Sequence, residues 1–507
     1  MTDEDVISVE GGMVRGAHAA DSITRIYKGI PYAAPPVGAG RWQAPRPVRP
    51  WQGVLNADRF GHACLQPLPA RNAFMGQFGF DEPAECGLSE DCLYLNVWTS
   101  ASSSDARLPV IVWVYGGGFR VGAGSHPVSW GDALARQGAV VVTLNYRVGG
   151  LGFLAHPELS REAGTSGNYG YLDVLAALRW VKRNVGAFGG DPDCVTLFGQ
   201  SAGAAIVNVL LADADREALF HRAIVHSSGR MPGGPMGNMK TLPEAQAEGL
   251  KWADSCGAHT LVQLRDLPAD ACHGARGMWN LVCDGQIIAS DVQSRLLRGQ
   301  QRPVPLLCGF TRNEASPYPL ADLHGSENFR TYALRSFGAE APEFLSLFAH
   351  DTDATAIASS YEVRRSSSFA YQPWRLARVR SKQAQAPVFL FEFDRAVPLP
   401  AQAFHEPAPV EGYGAYHGAE LWYVFNTLHT RPWPWTEWDR QLADMMTAYW
   451  VNFARGGDPN DGALPAWPPF DPELGKGLLL GNTVRAGRPS NHAALMFFER
   501  HFAGKEP

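Results

Sequence analysis

The sequence predicts an α/β fold in which helices cover both faces of a mostly parallel, twisted sheet. Short runs of β-branched and aliphatic residues recur along the chain, and helical patterns lie between them. The runs are continuously apolar rather than alternating, which is typical of strands buried on both faces. The 53 glycines and 37 prolines are spread along the chain instead of being collected in one linker. Such a distribution favours many turns inside a single compact unit.

Six strands are predicted from these runs. In chain order they cover residues 109–115, 139–144, 194–198, 222–225, 304–308 and 388–393. A helix before the third strand is indicated by an apolar stripe formed by Val174, Leu178, Val181 and Val185. A later helix is indicated by Leu442, Met445, Met446, Tyr449 and Phe453, with Asp439 near its start and Gly456 and Gly457 after its end. Active sites in such folds gather beyond the carboxyl ends of the strands, so motifs at those points are the candidates for chemistry.

Composition excludes several classes of protein. The 507 residues are 45% hydrophobic and 19% charged, which is enough for a large core, and length alone allows three or four domains at about 150 residues each. The net charge is −6 and no run of five like charges occurs, so nucleic-acid binding has no electrostatic support. The longest apolar runs fall far short of the roughly 18 residues that span a bilayer. We therefore expect a soluble protein without a transmembrane segment.

The first candidate motif for chemistry follows the third predicted strand. Gly199-Gln-Ser-Ala-Gly203 reads G-x-S-x-G between a strand and a predicted helix. A sharp turn there lifts the hydroxyl of Ser201 above the sheet, and the strained backbone is tolerated only where the flanking residues lack side chains. The alternative is a glycine-rich turn without chemistry. The position between strand and helix favours a nucleophile.

A second glycine motif, Tyr115-Gly-Gly-Gly-Phe119, follows the first predicted strand. Consecutive glycines leave backbone N–H groups unobstructed, as the oxyanion that develops during acyl transfer requires. A phosphate cradle is the competing interpretation. It fails because no lysine follows the glycines and no G-x-x-x-x-G-K-[ST] motif is present.

An acyl-transfer serine needs a base, and the base needs an orienting carboxylate. His417 stands out among the 15 histidines because it lies in a loop of small residues beyond the last predicted strand. Two acids fit the expected chain order: Glu314, after the fifth predicted strand, and Asp394, after the sixth. Sequence spacing does not choose between them.

With these motifs in order, the chain resembles the type B carboxylesterases of the α/β-hydrolase superfamily, which include cholinesterases and bacterial para-nitrobenzyl esterases. The resemblance runs nearly end to end and implies one α/β-hydrolase domain over residues 1–507, with large insertions that form a pocket lid. Its motifs are Arg25-Ile-Tyr-Lys-Gly-Ile-Pro-Tyr-Ala-Ala-Pro-Pro36, Ser89-Glu-Asp-Cys-Leu-Tyr-Leu-Asn96, Tyr115-Gly-Gly-Gly-Phe119, Phe188-Gly-Gly-Asp-Pro192, Phe198-Gly-Gln-Ser-Ala-Gly-Ala204, Thr311-Arg-Asn-Glu314, Gly414-Ala-Tyr-His-Gly-Ala-Glu420 and Tyr449-Trp-Val-Asn-Phe-Ala454.

The resemblance implies a role for each site residue. Ser201 would be the nucleophile, His417 the general acid and base, and Glu314, rather than Asp394, the carboxylate that orients the imidazole. The N–H groups of Gly117, Gly118 and Ala202 would form the oxyanion hole, and Ser227 would support the acid and the histidine. Ester hydrolysis through an acyl-enzyme on Ser201 follows, with neither a metal nor an organic cofactor implied.

Cysteine usage and the N-terminus bear on the compartment. The eight cysteines show no paired C-x-x-C spacing, and the acidic start of the chain, residues 1–5, does not read as a signal peptide. Reduced thiols in a cytoplasm are therefore expected. The resemblance, however, implies a disulfide between Cys64 and Cys92. If a signal peptide has been removed, a secreted or periplasmic protein with that bond is expected instead.

The substrate class is predicted from two features: the positions at which this chain differs from cholinesterases, and the positive charges of two arginines. Cholinesterases carry a cation-binding tryptophan at the position of Glu82 and a glutamate at that of Gln200, so choline esters are disfavoured. Arg120 follows the glycine loop and Arg230 borders the acyl pocket of relatives, and guanidinium groups suit carboxylates. We expect both arginines, with Phe119 and Gln200, to contact the substrate, which would be an ester of a polycarboxylic acid such as those cleaved by fumonisin esterases.

Other interpretations remain open at this point. Both arginines could face solvent or pair with acids such as Glu82, which would leave a broad-specificity esterase for neutral aryl or alkyl esters. Some relatives are binding modules without catalysis, but those usually lack the serine, whereas this chain keeps the whole candidate triad. The segment 329–386 carries no interpretable motif. The Trp- and Pro-rich segment 431–438 could be a pocket lid or a buried structural loop, and the structural interpretation is favoured. The oligomeric state is not predicted.

Overall fold

The computed structural model describes residues 6–503, apart from 71–72, 74–75, 77–86, 274–278, 319, 384 and 401–411. Glu82, which stands at the position of the cholinesterase tryptophan and was named as a possible partner of the arginines, lies outside the described residues. None of the described helices combines the length and the apolarity needed to cross a membrane.

Strands occur throughout the described part of the chain. They are β1 (Val6–Val9), β2 (Gly12–Arg15), β3 (Ala17–His18), β4 (Arg25–Pro31), β5 (Val54–Asn56), β6 (Ala63–Cys64), β7 (Leu88–Ser89), β8 (Tyr94–Thr99), β9 (Leu108–Val114), β10 (Val140–Leu144), β11 (Gly190–Gln200), β12 (Arg222–His226), β13 (Lys240–Thr241), β14 (Val282–Cys283), β15 (Leu306–Thr311), β16 (Val388–Phe393), β17 (Gly477–Leu480) and β18 (Val484–Gly487).

The α-helices are interspersed with the strands. They are α1 (Asp132–Arg136), α2 (Gly149–Phe153), α3 (Pro157–Ala163), α4 (Tyr169–Asn184), α5 (Ala202–Ala212), α6 (Leu242–Ser255), α7 (Leu261–Asp266), α8 (Val292–Leu297), α9 (Ser326–Phe337), α10 (Ala341–Leu347), α11 (Asp353–Arg364), α12 (Tyr371–Gln383), α13 (Leu421–Val424), α14 (Glu437–Gly456) and α15 (His492–Ala503). A π-helical turn, Arg365–Phe369, joins α11 to α12.

One large mixed sheet organises these elements. Within the described residues it has eleven strands in the order β18-β17-β16-β15-β12-β11-β9-β10-β8-β4-β3. The strands from β17 to β10 in that order run parallel, whereas β18, β8, β4 and β3 pair antiparallel at the two edges. Helices cover both sides of the sheet. The predicted architecture is confirmed.

The six predicted strands all form, two of them with bounds that shift by two or more residues. β16 has the predicted bounds, β9 is shifted by one residue at both ends, and β10 and β12 differ by one residue at one end. β11 begins four residues earlier than predicted, and an irregularity between Gly190 and Val195 interrupts its pairing with β9. β15 begins two residues later and continues to Thr311, because Gly309–Thr311 pair with β16 although Gly309 itself has weak strand propensity.

Both predicted helices are present. Three residues of the apolar stripe before β11, Val174, Leu178 and Val181, lie on α4 and are fully buried. The fourth, Val185, is also fully buried but begins the 3-10 turn that follows α4. Asp439 lies in the first turn of α14, where it completes a capping box with Thr436. Gly456 is the last residue of α14 rather than a residue beyond it, and Gly457, with φ 76°, ends the helix.

The segment 329–386, for which the sequence offered no interpretation, forms α9 to α12. α9, α10 and α15 pack a cluster of phenylalanines that is separate from the main core. The fully or nearly fully buried members of this cluster are Phe329, Phe337, Phe344, Phe348, Phe497 and Phe498. This part of the chain therefore has its own apolar centre beside the sheet.

The Trp- and Pro-rich segment 431–438 is packed against the protein. Trp433 is buried and meets Trp422 edge to face, with ring centroids 5.2 Å apart. The indole N–H groups of Trp435 and Trp438 donate to the carbonyls of Arg431 and Gly481. These contacts agree with the structural interpretation of the segment.

Cys64 and Cys92 are buried neighbours. The structure has them as free thiols that share a hydrogen bond, rather than as the disulfide that the resemblance implies. That hydrogen bond, together with burial, raises the pKa of the Cys92 thiol well above its usual range. The disulfide stays a prediction.

Candidate active site

The candidate motifs meet at one edge of the sheet. β9, β11, β12 and β15 are parallel neighbours, so their carboxyl ends lie side by side. The glycine loop follows β9, Ser201 follows β11, Ser227 follows β12 and Glu314 follows β15. Elements that are far apart in sequence are thereby brought to one place.

Ser201 occupies a strained turn between β11 and α5. Its backbone has φ 53° and ψ −123°, a conformation that side-chain-bearing residues rarely adopt. The turn is held because the N–H of Ser201 donates to the carbonyl of His226 at 2.9 Å. The strain predicted from the G-x-S-x-G motif is therefore observed.

The two glycines of this motif are required by the close approach of backbone atoms. A Cβ added at Gly203 would lie 2.0 Å from the carbonyl oxygen of Val114 on β9, and one at Gly199 would lie 2.5 Å from backbone atoms of Gly203. Real Cβ atoms essentially never come that close. The close packing of β9, β11 and the start of α5 thus depends on the absence of both side chains.

We expect Gly203→Ala to lower the free energy of unfolding by about 3 kcal/mol, because the new methyl group must push β9 away from α5. Urea denaturation followed by circular dichroism measures the change. Gly456→Ala is the matched control, since a Cβ there meets no atom within 4 Å, and it should be neutral or slightly stabilising. Equal stabilities of the two variants would contradict the steric argument.

The glycine loop after β9 turns tightly beside the serine. A Cβ at Gly116 would lie 2.9 Å from Cβ of Ser201, and one at Gly117, where φ is +100°, would lie 2.0 Å from the carbonyl oxygen of Val121. Gly118 also has a positive φ, but no atom lies within 4 Å of its added Cβ. Ala202 begins α5, so its N–H has no acceptor within the helix. Amide groups from both loops are thus available next to Ser201.

His417 is held by Glu314. The two side chains are joined by a hydrogen bond of 2.5 Å between Nδ1 of His417 and Oε2 of Glu314, whose side chain is fully buried. The second carboxylate oxygen accepts the N–H of Thr311 at 2.8 Å. Asp394, the other candidate, contacts β17 through its backbone and lies near the charges of arginines instead. Geometry therefore pairs His417 with Glu314.

The loops that carry this pair are themselves connected. Asn313 and Tyr416 form an isolated parallel β-bridge. The N–H of Asn313 donates to the carbonyl of Ala415 at 2.9 Å, and the side-chain oxygen of Asn313 accepts the N–H of Ala415 at 3.0 Å. These bonds fix the distance between the acid and the histidine.

The other ring nitrogen of His417 is hydrogen-bonded to Gln200, whose Nε2 lies 3.2 Å away. No hydrogen bond joins Ser201 to His417 among the described residues. Catalytic hydrogen bonds of this kind are often long before substrate binds. Gln200 thus contacts His417 directly. From the sequence, Gln200 was expected only to contact the substrate.

Ser227, predicted to support Glu314 and His417, makes no side-chain hydrogen bond to either of them. Its side chain is fully buried, yet its hydroxyl has no hydrogen-bond partner among the described residues. Its N–H donates to the carbonyl of Gly309 on β15, and its φ is 58°. Any support that Ser227 gives to Glu314 and His417 is therefore not a direct hydrogen bond in this structure.

A second histidine–carboxylate pair lies buried nearby. Nδ1 of His226 is 3.0 Å from Oε1 of Glu420, and both side chains are fully buried. Burial, with a further contribution from the charge of Glu314, raises the pKa of Glu420 to about 8, and burial lowers that of His226 well below its usual range. Each group therefore tends toward its neutral form. Glu420 ends the Gly414–Glu420 motif, and no role was predicted for it from the sequence.

A cavity of about 560 Å³ opens beside the serine. Its lining contains Gly117, Gly118, Gln200, Ser201 and His417, together with a largely apolar wall. The other lining residues are Trp113, Tyr115, Gly116, Arg120, Val121, His126, Val128, Ser129, Met236, Tyr318, Arg364, Phe369, Gly418 and Leu421. The described lining residues include no aspartate and no glutamate.

Two of the four predicted substrate contacts lie elsewhere. Arg120 and Gln200 line the cavity, whereas Phe119 and Arg230 do not. Arg230 is buried and packs over the ring of Phe119 at 5.5 Å from its centroid. Its guanidinium donates to the carbonyl of Met236 at 2.9 Å and to the side chain of Asn280 at 2.5 Å. Arg230 therefore supports the cavity wall from behind.

Sequence reasoning missed Tyr318, Arg364 and Phe369, which line the cavity around His417. The ring centroids of Phe369 and Tyr318 lie 4.6 Å and 5.9 Å from that of His417. Phe369 ends the π-helical turn and Arg364 ends α11, inside the segment without recognisable motifs. No local sequence signal marks these residues, because only the fold brings them to the site.

This chain is similar to known carboxylesterases along most of its length. The model of the carboxylesterase family matches residues 3–498. The chain is 34% identical to a fumonisin B1 esterase of Sphingopyxis macrogoltabida over 506 residues, covering 94% of this chain and 86% of that protein. It is 32% identical to the para-nitrobenzyl esterase of Bacillus subtilis, covering 94% and 95% of the two chains. A solved structure of a PNB esterase superposes with a TM-score of 0.78 at 30% identity, covering 95% of this chain and 97% of that one.

Proposed function

This chain belongs to the carboxylesterase family and is a carboxylesterase with the α/β-hydrolase fold, and we propose that it hydrolyses its ester substrate through an acyl-enzyme formed on Ser201. The observation that carries the proposal is the single cavity lined by Ser201, His417 and the glycine loop, with His417 held at 2.5 Å by the buried Glu314.

Each group has a task in this reaction. His417 takes the proton of Ser201 as the hydroxyl attacks the ester carbonyl, and then donates it to the leaving alcohol. Glu314 keeps Nδ1 protonated and stabilises the imidazolium that forms. The N–H groups of Gly117, Gly118 and Ala202 stabilise the negative charge on the carbonyl oxygen. Water activated by His417 then releases the acid and regenerates the enzyme.

The preferred substrate is an ester whose acid carries a further free carboxylate. Arg120 supports this choice, because it lines the cavity immediately after the glycine loop while no acidic residue is found in the described lining. Guanidinium groups bind carboxylates strongly and with defined geometry. A fumonisin B1 esterase is among the relatives, which supports the polycarboxylic ester expected from the resemblance.

A second candidate is a broad-specificity esterase for neutral aryl or alkyl esters. The apolar part of the cavity favours it, since Trp113, Val121 and Leu421 could hold an uncharged acyl or alcohol group. The para-nitrobenzyl esterase among the relatives is consistent with such a substrate.

The two candidates are separated by a matched pair of esters: para-nitrophenyl pentanoate and the para-nitrophenyl monoester of glutaric acid, which adds one free carboxylate. We expect a higher kcat/KM for the anionic ester, and we expect Arg120→Ala to reduce the ratio of anionic to neutral kcat/KM by roughly tenfold or more, the scale of one charge-assisted hydrogen bond. Absorbance of released nitrophenolate gives both rates. A parent enzyme without preference for the anionic ester would favour the second candidate.

A further inference from the structure

Arg364 is a cationic side chain of the cavity that has no hydrogen-bond or ion-pair partner among the residues the structure describes. It ends α11 and lines the cavity that also contains Ser201 and His417. No hydrogen bond or ion pair joins its guanidinium to any residue in the described ranges. Arginine nevertheless keeps its charge at all physiological pH values. The cavity therefore contains a positive charge that the described protein does not neutralise.

The neighbouring arginines explain why Arg364 forms no ion pair with Glu362, the acidic residue two positions before it. Arg312 donates to Oε2 of Glu362 at 2.6 Å, and Arg365 donates to Oε1 of the same carboxylate at 2.8 Å. Arg365 also pairs with Glu392. Both oxygens of the Glu362 carboxylate are thus hydrogen-bonded to guanidinium groups other than that of Arg364.

Burial makes this lone charge costly. Removal from water lowers the pKa of Arg364, which means that the surroundings disfavour its charged form. A partly buried cation without a counter-ion is unfavourable unless a ligand supplies the anion. Arg120 is a second arginine of the same lining, and it comes from a different element, the loop after β9. The cavity thus has two cationic residues and, in its described lining, no anionic one.

We propose that Arg364 is a specificity-determining residue that binds a free carboxylate of the substrate on the side of His417 formed by Tyr318 and Phe369. This inference rests on the proposed function and extends it, because it adds a second anchor to that of Arg120. A planar guanidinium can hold a carboxylate through two parallel hydrogen bonds, which fixes the orientation of the ester as well as its affinity. The substrate class is then an ester that carries a carboxylate near the scissile bond.

The test measures binding and turnover separately. Glutarate, a dicarboxylate without an ester bond, is titrated calorimetrically into the full-length protein, with uncharged glutaramide as the matched ligand. We expect glutarate to bind more tightly than glutaramide, and Arg364→Gln to raise the Kd of glutarate roughly tenfold or more. Arg298→Gln is the control variant, because Arg298 is exposed, has no ion pair in the described residues and does not line the cavity. It should leave the Kd unchanged.

The same variants are then assayed on the two nitrophenyl esters. Arg364→Gln should lower the ratio of anionic to neutral kcat/KM by roughly tenfold, whereas Arg298→Gln should not change it. Unchanged glutarate binding by Arg364→Gln, or no binding by the parent, would overturn the inference even if esters are hydrolysed. Arg364-dependent glutarate binding in a parent that hydrolyses neither ester would support the inference and contradict the proposed function.

Discussion

Ser201→Ala is expected to lower kcat on para-nitrophenyl esters by at least about 1000-fold, the scale seen when a triad residue is removed. The loss follows because no other group can form the acyl-enzyme once the hydroxyl is gone. The rest of the site, including the amides of Gly117 and Gly118, stays in place. KM should therefore change far less than kcat. Steady-state kinetics on nitrophenolate release measures both.

Two controls make this result specific to the nucleophile. Ser129→Ala removes another hydroxyl from the same cavity, one that donates to the carbonyl of His126, and should change kcat by less than about threefold. A fluorophosphonate, which reacts with activated serines, should label the parent on the peptide that contains Ser201 and leave Ser201→Ala unlabelled. Labelling of a different serine, or a variant that keeps a tenth of the parent activity, would remove Ser201 from its role.

The sequence predicted the centre of the fold better than its periphery. β9, β10 and β16 are recognisable because their residues are almost all apolar, as burial on both faces requires. β9 has no polar residue, and β10 and β16 have one each. β4 and β8 were missed because they mix polar with apolar residues at the antiparallel edge. α9 was also missed, although Phe329, Ala333 and Phe337 follow one another at helical spacing and could have revealed it.

In the candidate active site, the backbone geometry around Ser201 was predictable from the sequence. The side-chain contacts between residues far apart in the chain were not. The positive φ of Ser201 and the need for Gly203 follow from a short motif, because the constraint acts between residues that are close in sequence or on adjacent strands. The hydrogen bond between Gln200 and His417 joins residues 217 positions apart. Arg364 reaches the cavity from a segment without any motif. Such contacts depend on the tertiary structure as a whole.

The carboxylate that supports His417 can be identified by a pair of isosteric substitutions. Glu314→Gln is expected to lower kcat by about 1000-fold or more, as loss of the orienting carboxylate does in enzymes of this type. Both oxygens of Glu314 accept hydrogen bonds, one from Thr311 and one from His417, but a glutamine has only one acceptor oxygen. Either the N–H of Thr311 or the Nδ1–H of His417 must then face the NH₂ group of the glutamine, which cannot accept a hydrogen bond. The imidazole loses both its orientation and the negative charge that stabilises its cation.

Asp394→Asn is the matched control, because Asp394 is the acid that the sequence alone could not separate from Glu314. It makes the same change from carboxylate to amide, and burial raises the pKa of the Asp394 carboxyl, but that group is not hydrogen-bonded to His417. We expect its kcat to stay within about threefold of the parent. Glu314→Asp, which keeps the charge but shortens the side chain, should fall between Glu314→Gln and the parent. A larger loss for Asp394→Asn than for Glu314→Gln would reverse the assignment, since the charge that stabilises the imidazolium would then come from the residue after β16 rather than from the loop after β15.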